Sequence, residues 1–134
     1  MRKTTIMVIN GNLATCFISP FLVNGNLFIF NVASKIYSSG NCNVIGRKKS
    51  FNPSGAAFVN GASAHSLEFD DNCYAGVVHG SAVVFPAVLA FAQHKALSGL
   101  DLLKSFVVGL EIEFAVAKAF SNSVYDKGLS LIHI

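Results

Sequence analysis

The chain has 134 residues, 52% of them apolar and only 13% charged, with a formal net charge of +3. That is room for one domain with a real core and not for two, and the composition excludes low-complexity disorder. Asn, Gly, Ser, Lys or Glu interrupts every apolar run before the ~18 residues of a bilayer span, and the one basic cluster, Arg47-Lys48-Lys49, lacks interleaved aromatics, so neither a membrane nor a nucleic acid is an expected partner.

A Met-Arg-Lys start followed by apolar residues faintly resembles a signal peptide, but Asn10, Gly11 and Asn12 interrupt it early. Cys16, Cys42 and Cys73 are odd in number and lack Cys-x-x-Cys pairing, which fits a reduced, cytoplasmic setting. Residues 1–36 read as an atypical, irregular or partly β segment. Runs 6–9 and 27–32 have strand character, and Asn10-Gly11 and Asn24-Gly25 are hairpin-type turn dipeptides. Gly40, Asn41, Asn43 and Gly46 read as a loop.

From Pro53 the pattern predicts helices, and the fold class is all-α. Asn52 can cap a first helix with Pro53 at its first position, and Ala56, Ala57, Ala62 and Ala64 carry it to about Leu67. A loop follows from 71 to 80. Ser81 can cap a second helix that runs to about Leu97, with Pro86 expected to kink it or to mark its true first turn. Ser98 and Asp101 have capping-box spacing for a third helix. Leu103, Phe106, Val107, Leu110, Phe114 and Ala117 recur at three- and four-residue steps, predicting one buried face.

Three of the seven acids, Glu68, Asp70 and Asp71, fall within four positions between His65 and His79. Crowding of like charge raises carboxyl pKa values, and the negative end of a helix dipole adds to this, so one of the three acids is expected to hold its proton near neutral pH. Helical spacing puts His65, Glu68 and Asn72 on one face and turns Asp70 and Asp71 away. His79 precedes a helix N-terminus, where the dipole disfavors an imidazolium; it is expected to act as a neutral base, with the amides around Gly80 and Ser81 free for a substrate carboxylate. No zinc-ligand spacing is met, so no metal is expected. Glu111 and Glu113, two apart, cannot share a helical face, and His94 reads as solvated.

The passage from Ser54 through Asn60-Gly61, Ala64-His65 and Glu68-Phe69-Asp70-Asp71 strongly resembles the MmgE/PrpD family. The resemblance continues through His79-Gly80-Ser81 and Pro86 to Ser98-Gly99-Leu100-Asp101, and covers about residues 37–128. It implies part of a helical domain, followed in longer members by a lid domain that supplies a lysine and further histidines. Members resemble one another in acid–base chemistry next to a carboxylate of small di- or tricarboxylates, with no redox cofactor, and the 2-methylcitrate dehydratase type is the expected one.

By position, the resemblance implies His79 and Glu68 as catalytic residues and Asn72 and Ser81 as substrate-binding ones, with His65, Asp70 and Asp71 in support. Glu68 stands where many members have Asp, and the 68–79 loop is one residue longer than in the decarboxylase type. A homodimer is implied for the complete enzyme, and this segment alone is expected not to turn over. Residues 129–134 read as a non-native tail. The rival reading is a non-catalytic helical interaction module with an acidic docking loop.

Overall fold

A computed structural model describes the backbone of residues 5–9, 12–16, 22–66, 70–73 and 78–126, and the side chains of 27–66, 70–73 and 78–120. Two short antiparallel strands, β1 (Thr5–Ile9) and β2 (Asn12–Cys16), pair with Ile9 opposite Asn12, while the expected Asn10-Gly11 turn itself lies outside the described residues. Helix α1 (Leu22–Ile36) follows. It corrects two expectations at once, since Asn24-Gly25 and residues 27–32 lie inside it. Its Ala33 is fully buried, with Ile29 and Phe30 packed on the same core, a three- and four-residue spacing that a strand could not bury.

Strand β3 (Ser39–Asn43) pairs antiparallel with β4 (Ser50–Phe51), so part of the expected 40–46 loop is extended and paired. The reason is burial. Cys42 and Phe51 are both inaccessible, and the Cys42 thiol donates to Ala90 O at 3.2 Å. Helix α2 (Pro53–His65) begins as read, with Asn52 Oδ1 accepting from Gly55 N at 2.8 Å. α3 (Gly80–Lys95) and α4 (Gly99–Asp126) complete the chain. The described chain is thus mostly helical with a partly β N-terminal portion, and none of its described helices is long and apolar enough to cross a membrane.

The core forms where α1, α2 and α3 converge on the β3–β4 pair: Ala33, Cys42, Val44, Phe51, Ala56, Val59 and Ala90. Phe30 meets Phe51 edge to face at 5.6 Å. Burying Phe51, Leu89 and Val59 contributes about 1.5–3 kcal/mol each. The buried Asn60 binds both sides of the turn after β3, accepting from Ile45 N at 2.9 Å and donating to Asn43 O at 3.0 Å. α2 and α3 approach so closely that a Cβ on Gly61 would stand 2.7 Å from Ala82 O. Pro86 is interior to α3 and does not mark its first turn. Having no N–H, it leaves Ala82 O without its usual intrahelical donor, at the spot where Gly61 packs.

The capping box at α4 is present: Ser98 Oγ donates to Asp101 Oδ2 at 2.6 Å and accepts from Asp101 N at 3.2 Å. The bonds that Ser98 donates to the carboxylate from its hydroxyl and its amide, with Lys104 nearby, hold the Asp101 carboxyl below its ordinary range. The buried face of α4 is rotated from the expected one. Leu102 is buried, Phe106, Gly109, Leu110 and Glu113 are partly so, and Leu103 and Val107 are exposed, because α4 meets α3 through Phe106 on Phe85 and Gly109 on Val84.

Candidate active site at the α2–α3 junction

α2 ends at His65 and α3 begins at Gly80 with His79 in the N-cap position. The Gly61 contact holds the two helices together, so the ends of the connecting segment are fixed and their side chains face one another. The His65 and His79 rings stand 4.8 Å apart, edge to face. Between them lies Asp70. Its Oδ2 is 3.0 Å from His65 Nδ1 and 3.2 Å from His79 Nδ1, and its side chain is 2% exposed, against 12% for His79 and 34% for His65. Its other oxygen, Oδ1, is buried with no hydrogen-bond partner among the described residues.

Asp71 has a different task. Its Oδ1 accepts from Ser81 N at 2.7 Å, while its backbone carbonyl lies 3.0 Å from His79 Nδ1. Thus the first turn of α3 is capped from the connecting segment, and neither Ser81 nor His79 provides a side-chain cap. Burial pulls the Asp71 carboxyl up, but hydrogen bonds from the Ser81 hydroxyl and amide, with His79 nearby, outweigh it and hold the carboxyl below its ordinary range. A negative charge at a helix N-terminus is favorable for the same reason.

These contacts fix the chemistry of His79. Nδ1 faces two acceptors, a carboxylate and a carbonyl, so it is a nitrogen that carries a proton. In the neutral ring Nε2 is then the basic nitrogen. A buried carboxylate, an imidazole and a free Nε2 form the arrangement by which a histidine takes up and returns a proton with its orientation held.

The sequence-derived candidates are distributed as follows. His65, Asp70, Asp71 and His79 come together, and the Ser81 amide joins them through Asp71. The expectation that Asp70 and Asp71 turn away is corrected: the helix stops at His65, and Asp70 stands between the two rings. For the same reason Asn72 shares no helical face with His65; it is exposed on the connecting segment. The Ser81 amide, expected to be free for a ligand, is occupied by Asp71. Glu68 and Tyr74 lie outside the described residues. Cys73 pairs its backbone with Val78, and His94 is exposed.

The ligand atoms of His65, Asp70 and His79 all lie within 4.8 Å of one another, close enough to hold a cation. A cation bound through the two Nδ1 atoms would displace the protons they direct at Asp70.

One acid was missed. A Cβ on Gly80 would collide with the Leu110 side chain and stand 3.3 Å from both Asp71 Oδ2 and Glu113 Oε2. The bare Gly80 therefore lets α4 bring Glu113 to the mouth of α3. Burial, and next the charge of Asp71, push the Glu113 carboxyl up, with His79 partly offsetting them. The expectation of a raised carboxyl does not hold for Asp71, which is held low; the carboxyl pushed up is this one, from another helix. The signal was present, since Glu113 follows Leu110 by three residues and Phe106 by seven.

Comparison with known proteins agrees with the resemblance. Residues 27–133 match the family model described as MmgE/PrpD N-terminal domain. The chain is 41% identical over 86 residues to cis-aconitate decarboxylase of Mus musculus, covering 60% of this chain and 17% of that protein. It is 38% identical over 94 residues to cis-aconitate decarboxylase of Homo sapiens, covering 63% and 19%. The protein of that name from Aspergillus terreus is 34% identical over 89 residues, covering 63% and 18%. The chain thus spans less than a fifth of the length of these relatives. No solved structure matches it.

Proposed function

Because the chain belongs to the MmgE/PrpD family, we propose that it forms one wall of an active site that moves a proton at the carbon next to a carboxylate of a small di- or tricarboxylate. The observation that carries this reading is the Asp70 carboxylate, buried at 2% exposure and shared by the Nδ1 atoms of His65 and His79. His79 is the acid–base group, acting through Nε2, and Asp70 keeps its tautomer and orientation. Glu68 shares or relays the proton, and Asn72 gives a neutral hydrogen bond to the substrate. Ser81, through its amide, secures Asp71.

Decarboxylation and dehydration have this proton movement in common. In the first, the bond to the departing carboxylate breaks, CO2 leaves and a proton is delivered to the carbon; in the second, a proton is taken from carbon and hydroxide leaves. The name these relatives share favors decarboxylation of a cis-aconitate-like substrate over the dehydration expected from the sequence. Completing the site requires the residues that longer family members carry beyond this stretch, so the segment alone is inactive. The complete enzyme is a cytoplasmic homodimer that needs no redox cofactor. An acidic docking loop is the weaker reading, because its central acid is turned inward, away from any partner.

The test is His79→Ala in a full-length enzyme containing this segment, following CO2 release from cis-aconitate and water loss from 2-methylcitrate. A general acid–base group contributes on the order of 10²–10⁴ in rate, and a loss of that size is expected for one of the two reactions. Undiminished turnover of both would remove His79 from the chemistry.

A further inference from the structure

The Glu113 carboxyl is the one group at this junction that the proposed chemistry leaves without a task. It arrives from α4, a helix that otherwise touches α3 through apolar residues, and its Oε2 is buried with no hydrogen-bond partner among the described residues. The same point in space, where Gly80 lacks a Cβ, is 3.3 Å from this oxygen and 3.3 Å from Asp71 Oδ2. Asp71 uses its other oxygen on Ser81 N and its carbonyl on His79 Nδ1. A second acid facing an anionic cap is repelled unless one of the two keeps a proton, and the cap is the one held ionised by its donors.

We propose that Glu113 is a positioning residue of the site, whose carboxyl group donates a hydrogen bond toward Asp71 Oδ2 and thereby holds the Asp71 carbonyl against His79 Nδ1. Three observations support the direction of donation. Asp71 Oδ2 can only accept, Asp71 is favored as an anion at the N-terminus of α3, and the Glu113 carboxyl is pushed up by burial and by Asp71. The charged or titrating groups facing Glu113 are Asp71, which favors its protonated form, and His79, which opposes it. Glu113 acts through Asp71 and touches no reacting atom, so a neutral donor of the same shape replaces it.

The inference rests on His79 as the histidine of the site but not on any substrate, so it is read without turnover. In the isotope-labelled chain, two-bond proton–nitrogen correlations report which His79 nitrogen carries the proton, and the Glu113 side-chain carbonyl shift reports its titration. Expected are a single Nδ1–H form in the unmodified chain and in Glu113→Gln, and an Nε2–H form appearing in Glu113→Met, which retains the packing and removes the donor. The Glu113 carboxyl should titrate above the ~4.3 of a free glutamate. A His79 tautomer unchanged in Glu113→Met, or lost equally in Glu113→Gln, overturns the inference. So does ordinary titration of Glu113, which is measured in the unmodified chain and needs neither variant to fold. Loss of the catalytic reading of His79 would leave all three readouts in place.

Discussion

Replacing Asp70 by asparagine keeps the shape of the side chain and removes its charge, which isolates what the carboxylate does between two imidazoles. In the native chain Oδ2 accepts from His65 Nδ1 at 3.0 Å and lies at ion-pair distance, 3.2 Å, from His79 Nδ1. A hydrogen bond to a charged group contributes about 1.5–3 kcal/mol and a neutral one about 0.5–1.5, so losing the charge costs about 1 kcal/mol per bond. The His65 share falls at the low end, because its ring is 34% exposed. The substituted side chain would turn its carbonyl toward the rings and put its amide where Oδ1 now sits, a buried position in which Oδ1 has no described partner. An unmet buried donor adds about 1–3 kcal/mol. The expected destabilisation is therefore about 3 kcal/mol, read from urea unfolding of the chain at neutral pH by circular dichroism. It should change little with added salt, since the carboxylate is buried and poorly screened. An Asp70→Asn chain within ~0.5 kcal/mol of the parent would refute the claim that a buried carboxylate organises this junction.

Two further outcomes test other parts of the structure. Asn60→Ala removes both bonds to the turn after β3 and strands Ile45 N; the expected loss is about 2–3 kcal/mol in the same unfolding assay, and a loss near zero would mean that the turn is held without it. The acids at the mouth of α3 give opposite pH signatures. Asp71 is held below its unfolded value near 3.9, so its contribution is present above that pH and fades as pH falls through the lower folded value. Glu113 is held above its unfolded value near 4.3, so its penalty grows as pH rises from there through the higher folded value. Unfolding midpoints between about pH 3 and 7 should show the deficit of Asp71→Asn shrinking in acid, and Glu113→Gln gaining on the parent toward neutrality. Parallel curves for all three chains would contradict both assignments.

Local chemistry made α2, α3 and α4 legible: a capping Asn before Pro53, a Ser-x-x-Asp box at Ser98, and apolar residues at helical steps. α1 was hidden because Asn24-Gly25 is a strong turn signal, yet three-dimensional packing of Ile29, Phe30 and Ala33 overrides it. β3 was hidden because Gly40, Asn41 and Asn43 have loop composition, and only the distant contact of Cys42 with Ala90 O makes the strand worthwhile. At the site, sequence proximity brought the right residues into view but not their arrangement. Helical spacing cannot relate Asp70 to two histidines five residues before it and nine after it; that relation exists only once α2 and α3 are packed. Glu113 is readable from its three-residue step to Leu110, but the two-residue step to Glu111 hides it, because no helical face joins those two acids.

The Cys73–Val78 backbone pair, with N–H to O distances of 3.0 and 3.4 Å, closes off the chain between them. On one side of this closure lie Asp70 and Asp71, on the other His79, and every contact described here that orients the histidine is made outside it. Residues can therefore be gained or lost between 73 and 78 without changing the distance from Asp70 to the ring. A chain built this way tolerates changes of length in that segment while the His79 ring stays held by Asp70 and Asp71.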